Sequence, residues 1–314
     1  MSMDPSPHDH GQPGSDPSAL IFPDPSHIFT DRSRRFTALA EGHSLADWLS
    51  FLGRLTQVQH DLLQEYPPDL PLPGEAALAL ARNHRLPPLP AASWPRHPSW
   101  LRALSSLARE LAPHAPPPAQ DTLERLQTMD AATLEHIADS ILRLEPDDGR
   151  QTEFIPFVAA ALQVHWTALA ARQNQTTLAP LDVPGVCPCC GFLPVASIVR
   201  RDGEVANRRY LHCGLCNTEW HLVRVSCAAC SDSNRMAYQY IEGSDGAIRA
   251  ETCDACKSYL KILYPEKSSQ ADPVADDLST LALDLLVFEA GYGRMSPNLL
   301  FAPPVTDPVD VYKA

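Results

Sequence analysis

Apolar residues recur at helical spacing through the first half of the chain. The clearest stripe follows Ser44, which we predict to cap a helix with Asp47 in its first turn. Pro67 and Pro68 end this pattern, because proline lacks the backbone N–H that a helix interior requires. The apolar face of the predicted helix consists of Leu45, Trp48, Leu49, Leu52, Leu55 and Leu62.

Four further helices are predicted in the same region, separated by prolines or by a capping residue. Asp130 is placed to cap one of them, and the run Pro116–Pro118 is predicted to end another. We interpret His60, His136 and His165 as packed or solvated helix residues rather than as metal ligands. The four predicted helices cover residues 100–111, 123–129, 131–144 and 154–171.

A change of pattern after Pro184-Gly185 indicates short strands in place of helices. Two pairs of β-like segments each flank a glycine-containing turn, which is Asp202-Gly203 in the first pair and Gly243–Gly246 in the second. Each pair therefore predicts a hairpin. The four segments are Val195–Val199, Arg208–Leu211, Met236–Ile241 and Ala247–Thr252.

Eight of the nine cysteines form four Cys-x-x-Cys pairs that repeat with a fixed period. In each half of the repeat 22 residues separate the two pairs, and each cysteine of the first half recurs 40 positions later. Four thiolates presented by two short turns at the base of a hairpin make a tetrahedral metal site. The repeat thus predicts two metal sites in rubredoxin-like or zinc-ribbon modules. Their ligands are Cys187, Cys190, Cys213 and Cys216 in the first module and Cys227, Cys230, Cys253 and Cys256 in the second.

Two other interpretations of the cysteine pairs stay open at the level of sequence. Cys213 and Cys216 could share a metal with Cys227 and Cys230, since only ten residues separate these two pairs. A thioredoxin-like dithiol is the other interpretation, although that motif lies between a strand and a helix and occurs once. Cys189 is the odd thiol, and we interpret it as a spare residue rather than as a ligand.

The residue that follows each cysteine pair affects the shape of the turn. Gly191 and Asn217 tolerate the positive φ that such a turn favours. Ser231 and Lys257 stand at the corresponding positions of the second module and are less suited to it. We therefore expect the first site to be the more regular one.

Four thiolates suit zinc, and they equally suit a single iron ion. A site closed by four protein ligands has no open position for water, so metal-activated hydrolysis is not expected. His212 and His221 flank the second cysteine pair. Because four cysteines already complete the site, we expect these histidines at the surface or beside the ligands.

A last helix is predicted from Pro273, with Asp272 as its cap and Gly291 just beyond its end. Its predicted apolar face consists of Leu278, Leu281, Ala282, Leu285 and Phe288.

The predicted fold class is α+β, an N-terminal helical domain followed by two tandem rubredoxin-like or zinc-ribbon modules and a C-terminal helix. The predicted ranges are a disordered lead-in over 1–19, the helical domain over 20–183, the first ribbon over 184–225, the second ribbon over 226–265, and the C-terminal helix and tail over 266–314.

Charge argues against nucleic acid as a partner. The 314 residues carry a formal net charge of −13. The cysteine-rich region from 187 to 262 has nine basic and eight acidic residues, and eight thiolates with two divalent ions bring it to about −3. Phosphate attraction to such a surface is poor, and a protein surface is the better expectation.

The sequence also indicates where in the cell the protein is expected. No stretch approaches the roughly 20 continuous apolar residues of a membrane span. Arg34 and Arg35 resemble a twin-arginine export motif, but the apolar run behind them stops at Glu41, so we place them on a helix surface. We expect a reducing cytoplasm, where paired cysteines bind metal rather than form disulfides.

Three segments carry a resemblance to a known family. They are Tyr210–His221 (YLHCGLCNTEWH), Glu251–Lys261 (ETCDACKSYLK) and Ala275–Asp284 (ADDLSTLALD). With Tyr292-Gly-Arg294 and Asn298, these motifs resemble the formate dehydrogenase accessory protein family FdhE. The resemblance is strong over residues 187–300 and looser in the helical part.

The resemblance implies a cytoplasmic maturation factor that is not an enzyme and that binds the catalytic subunit of formate dehydrogenase. It implies rubredoxin-like sites at the eight paired cysteines, with iron favoured and zinc possible, and it departs from the family at Cys189. A rubredoxin-like electron-transfer or redox module is the alternative. Positions that match family motifs, interpreted either as partner contacts or as supports of the last helix, are Asp276, Asp277, Asp284, Tyr292 and Arg294.

Overall fold

The structure, a computed structural model, describes residues 19–145, 151–174, 178–179, 181–202, 205–268 and 270–301, with no side-chain description for 201–207. The lead-in predicted over residues 1–19 therefore lies outside the described residues except for Ala19, as does the tail beyond 301. The helices are α1 (Ile28–Ala40), α2 (Ala46–Gln64), α3 (Glu75–Asn83), α4 (Ser99–Leu111), α5 (Pro117–Thr128), α6 (Ala131–Arg143), α7 (Ile155–Ala170), α8 (Ala275–Leu278) and α9 (Leu281–Glu289). The strands are β1 (Leu20–Ile21), β2 (Pro194–Asp202), β3 (Val205–Cys213), β4 (Glu219–His221), β5 (Met236–Gln239), β6 (Ile248–Cys253), β7 (Ser258–Leu263) and β8 (Gly293–Arg294).

Helix α7 is the centre of the helical part. The sequence predicts an apolar stripe here, but all residues from Phe157 to Ala170 are buried. Together with the turn before it, Thr152–Ala170 is the one helix in the described part of the chain that is long and apolar enough to cross a membrane. Because 83% of that window is buried inside the protein, the helix serves here as the core element.

The predictions of helix ends are partly confirmed. Ser44 does not cap α2, which begins at Ala46 without a side-chain cap. Helix α4 ends at Leu111, before the proline run, as predicted. The same run begins α5, which therefore starts at Pro117 and not near residue 123, because a missing N–H costs nothing at the first helical position. Asp130 caps α6 as predicted, and its carboxylate accepts from the Thr133 amide at 3.0 Å.

The two predicted hairpins are confirmed, as β2–β3 and β5–β6. They do not form separate sheets. One sheet runs in the order β1-β4-β3-β2-β7-β6-β5, with β8 beside β7. The two halves join through a parallel pairing of β2 with β7, in which Ser197 lies opposite Ile262. The α+β class is confirmed, and the two modules share a continuous sheet.

The C-terminal helix is broken into α8 and α9. The Lys261 ammonium of β7 donates to the Asp277 and Thr280 carbonyls at 2.7 and 3.1 Å, which holds the chain in a turn between the two helices. The predicted apolar face is therefore only partly right. Leu278 is buried, but Leu285 and Phe288 are 66% and 58% exposed, and the residues of α9 that pack on the sheet are Leu283 and Val287.

His165 of α7 gives the helical core a pH dependence. Its Nδ1 lies 2.9 Å from the Tyr66 hydroxyl, and burial lowers its pKa from 6.5 to about 3. Between pH 6.5 and about pH 3, His165 is protonated in the unfolded chain but not in the folded chain. The stabilisation is therefore complete above pH 6.5 and falls as the pH drops through this window, by up to about 1.4 kcal/mol per pH unit.

We expect the stability advantage of the wild-type chain over His165→Asn to shrink between about pH 7 and pH 5. Urea unfolding of both proteins measures the two free energies. Acid effects on the cysteines are common to both chains and cancel in the difference. Parallel pH profiles would show that His165 does not titrate in this way.

Candidate metal centres

The first cysteine quartet lies inside the core. Its four sulfur atoms fall within 4.8 Å of one another, with Cys187 Sγ 3.6 Å from Cys216 Sγ and Cys190 Sγ 3.5 Å from Cys213 Sγ. A tetrahedral ion with metal–sulfur bonds of about 2.3 Å requires sulfur separations of about 3.8 Å. All four cysteines are fully buried. The arrangement could hold a metal ion.

The second quartet has the same geometry at the edge of the protein. Cys227 Sγ lies 3.7 Å from Cys256 Sγ, and Cys230 Sγ lies 3.7 Å from Cys253 Sγ. Here Cys230 is exposed and Cys256 is half-buried. The structure thus gathers the cysteines into the predicted sets and not into the alternative in which the second and third pairs share a metal.

The four turns that present the cysteines share one backbone conformation. Gly191, Asn217, Ser231 and Lys257 all have positive φ, at 74°, 60°, 63° and 57°. The expectation that serine and lysine would make the second site less regular is not met in the turns. The two sites differ in burial instead.

Hydroxyl groups beside the sulfurs were missed by the sequence reasoning. Thr218 Oγ1 lies 3.2 Å from Cys216 Sγ, and Ser258 Oγ lies 3.0 Å from Cys256 Sγ. These two residues are 40 positions apart, so the repeat extends beyond the cysteines to a Cys-x-Thr/Ser motif. Such contacts tune and orient metal-bound sulfur.

Asn217 links the first site to α1 and α7 by hydrogen bonds. Its Oδ1 accepts from Arg32 Nη2 of α1 at 2.8 Å, and its Nδ2 donates to Thr167 Oγ1 of α7 at 2.8 Å. The fully buried Arg32 also donates to Asp272, whose carboxylate accepts from the backbone at the start of α8. The carboxylate partner of Arg32 and the amide of Asn217 satisfy most of its guanidinium in the core.

Of the two flanking histidines, only one is at the surface. His221 is exposed. His212 is buried, with Nε2 3.1 Å from Asn217 Oδ1 and Nδ1 3.0 Å from Glu219 Oε1. Burial alone would raise the pKa of Glu219, but Arg200 and His212 lower it to about 2. His212 therefore supports the turn that carries Cys216.

Comparison with known proteins identifies the family of this chain. Profiles of the N-terminal, central and C-terminal domains of FdhE match residues 17–182, 186–224 and 225–301. The chain belongs to the FdhE family. It is 38% identical over 285 residues to an FdhE homolog of Edwardsiella ictaluri, a match that covers 90% of this chain and 91% of the relative. It is 35% identical to FdhE of Escherichia coli K12 over 285 residues, with the same coverage.

A solved FdhE structure has the same fold. The crystal structure of FdhE from Pseudomonas aeruginosa aligns with a TM-score of 0.78 at 34% identity, and the alignment covers 91% of this chain and 99% of that one. The resemblance drawn from the cysteine motifs is thereby confirmed.

The charge of the first quartet fits a bound cation. Burial raises the pKa of the Cys187 and Cys190 thiols well above the usual range. Four ionised thiols inside a core therefore require a positive ion among them, which lowers their proton affinity and compensates their charge. The donor set and spacing of this FdhE chain fit zinc or iron and do not distinguish them.

Cys189 is fully buried, and the neighbouring Cys216 and burial together raise the pKa of its thiol well above the usual range. It stands outside the quartet. Its backbone oxygen accepts from the Leu89 amide at 3.1 Å, so the peptide itself fastens the first turn to the helical part.

The five family-motif residues near the C-terminus all have contacts within the chain. Four of them hold α8 and α9 against α1 and β7, whereas Tyr292 lies near the surface beside the fourth cysteine pair. Their role in partner binding stays a prediction. The contacts are Arg35 Nη2–Asp276 Oδ1 at 2.5 Å, Arg294 Nη2–Asp277 Oδ2 at 2.7 Å, Lys261 Nζ–Asp284 Oδ2 at 2.6 Å, Arg294 Nη1–Asp284 Oδ1 at 3.0 Å and Tyr292 Oη–Asp254 Oδ1 at 2.9 Å.

Proposed function

We propose that this protein is an accessory factor for formate dehydrogenase and that it binds the catalytic subunit of that enzyme during its maturation in the cytoplasm. The observation that carries the proposal is the match of all three FdhE domains together with two complete cysteine quartets. In this role the protein catalyses no reaction itself. The metals organise the surface that meets the partner.

The chemistry of the two sites supports a binding role. A tetrathiolate site offers no open coordination position, so a substrate or water has no place on the ion. What such sites supply is folding free energy and a fixed arrangement of the turns around them. We propose iron as the resident metal at both sites, as the family resemblance implies.

Deletion of the gene in its own organism should abolish most formate dehydrogenase activity, and the full chain supplied in trans should restore it. The tagged chain should also capture the catalytic subunit from a lysate, identified by mass spectrometry. As a matched control, Leu80→Ser changes a 58% exposed residue of α3 far along the chain from the cysteines and should restore activity fully. Unchanged activity in the deletion strain would overturn the proposed function.

The visible spectrum of the same protein, purified without oxygen, separates the two metals. Iron in a tetrathiolate site gives charge-transfer bands that bleach on reduction, whereas zinc gives none. A colourless protein with zinc at both sites would overturn the iron proposal, and with it the electron-transfer alternative, while leaving the accessory role intact.

A further inference from the structure

The two quartets are equal in geometry and unequal in surroundings. Every cysteine of the first has no exposed surface. In the second, Cys230 is exposed and Cys256 half-buried, and the residues just after Cys230 are exposed as well, with Asp232 half-buried among them. A chelator or thiol reagent in solution can therefore reach the second quartet directly.

The first site is also fastened to the helical part at both of its turns. The Cys189 and Cys190 carbonyls accept from the Leu89 and Ala91 amides at 3.1 and 2.8 Å. The Gly214 carbonyl accepts from Gln163 of α7 at 2.8 Å. To open this site, one turn must separate from the segment that holds Leu89 and Ala91 and the other from α7, which amounts to unfolding much of the protein.

The second site has no comparable fastening at Cys230. Among the described residues, hydrogen bonds of the turn that follows Cys227 run within the turn itself, such as Ser231 N to Cys227 O at 2.9 Å and Cys227 N to Asp232 O at 2.8 Å. Only the inner side of this turn is tightly packed, where a Cβ at Gly185 would meet the Ala228 carbonyl oxygen at 1.8 Å. The outer side can open while the sheet stays intact.

We propose that the two sites differ in exchange: the second quartet releases and rebinds its metal in the folded protein, whereas the first keeps its metal until the protein unfolds. Exchange at a closed four-coordinate ion needs either an incoming ligand or the release of one cysteine, and both need access from solvent. The inference concerns the metal sites alone and does not depend on the proposed function.

The test uses the full-length protein reconstituted with zinc at both sites and challenged with excess EDTA. Metal release should occur in two phases of equal size, with the first faster by more than about tenfold. Far-UV circular dichroism should stay constant during the first phase and change with the second.

Alkylation by N-ethylmaleimide during the challenge assigns the phases. Peptide mass spectrometry after the first phase should find the four cysteines of the second quartet modified and the other five protected. A single phase, equal labelling of both quartets, or labelling of the first quartet before the second would each overturn the proposal.

Matched variants sharpen the test, because Cys190 and Cys230 occupy the same position of the 40-residue repeat. Cys230→Ser should keep its fold, bind one zinc ion and lose the fast phase alone. A Cys230→Ser protein that retains the fast phase and loses the slow one contradicts the inference. Should Cys190→Ser fail to fold, the wild-type labelling pattern still decides the question.

Discussion

Replacing Cys213 by serine should unfold most of the protein rather than empty a single site. The sulfur has no exposed surface and accepts from the amides of Leu215 and Cys216 at 3.4 Å. A structural tetrathiolate ion stabilises a fold by about 10–16 kcal/mol, which is comparable with the roughly 5–15 kcal/mol total stability of a typical domain. The neighbouring Asn217 also holds Arg32, so the loss would spread to α1 and α8.

Thermal unfolding followed by circular dichroism checks this result. We expect Cys213→Ser to lose the cooperative transition, or to melt more than about 15 °C below the wild type. Cys253→Ser is the matched control at the same position of the repeat. It should empty the second site and lower the melting temperature by less. A Cys213→Ser protein that melts within a few degrees of the wild type would show that the first site is not part of the folding unit.

The second large loss of stability is expected when the ion pair between the two modules is broken. Arg209 Nη2 of β3 donates to Glu251 Oε2 of β6 at 2.6 Å, and both side chains are 1% exposed. Ser197 Oγ of β2 donates to the same carboxylate at 2.5 Å. Arg209→Met would leave this carboxylate buried without its counter-charge, at a loss of about 3–5 kcal/mol in the free energy of unfolding. Burial already raises the pKa of Glu251 even with arginine present.

A double variant separates the pair from simple packing. Arg209→Met combined with Glu251→Leu removes both charges, and with them most of the desolvation penalty, so it should be more stable than Arg209→Met alone. Urea unfolding of the wild type, both single variants and the double variant measures the four free energies. Additive losses in the double variant would mean that the two side chains stabilise the fold independently.

Several features that depend on short segments of chain could be predicted from the sequence, and those that depend on distant contacts could not. The Asp130 cap and the two hairpins were predicted correctly, whereas the Ser44 cap was not. The parallel join of Ser197 with Ile262 depends on how two hairpins meet, and no short pattern encodes it. The break between α8 and α9 was not predicted for the same reason, because it is stabilised by Lys261, which lies on strand β7.

The candidate metal sites follow the same division. The repeat of 40 residues favoured the two sets of cysteines that come together, and the structure was needed to exclude the set made of the second and third pairs. Their difference in burial was not predictable, because it arises from contacts of Gly214 and Cys190 with the helical part. Ser231 and Lys257 were expected to fit their turns poorly, yet both adopt positive φ. There the arrangement of four sulfurs overrides the local preference of the residue.

The parallel pairing of β2 with β7 has a consequence for the order of folding. Each ribbon assembles from contacts that are near in sequence, whereas this pairing needs both ribbons to be in place, so we expect it to form last. A chain whose first site has not formed leaves β7 without its β2 partner, and an open strand edge is the kind of surface on which polypeptides aggregate. We therefore expect the supply of metal to the first site during synthesis to set how much of the chain reaches its native state.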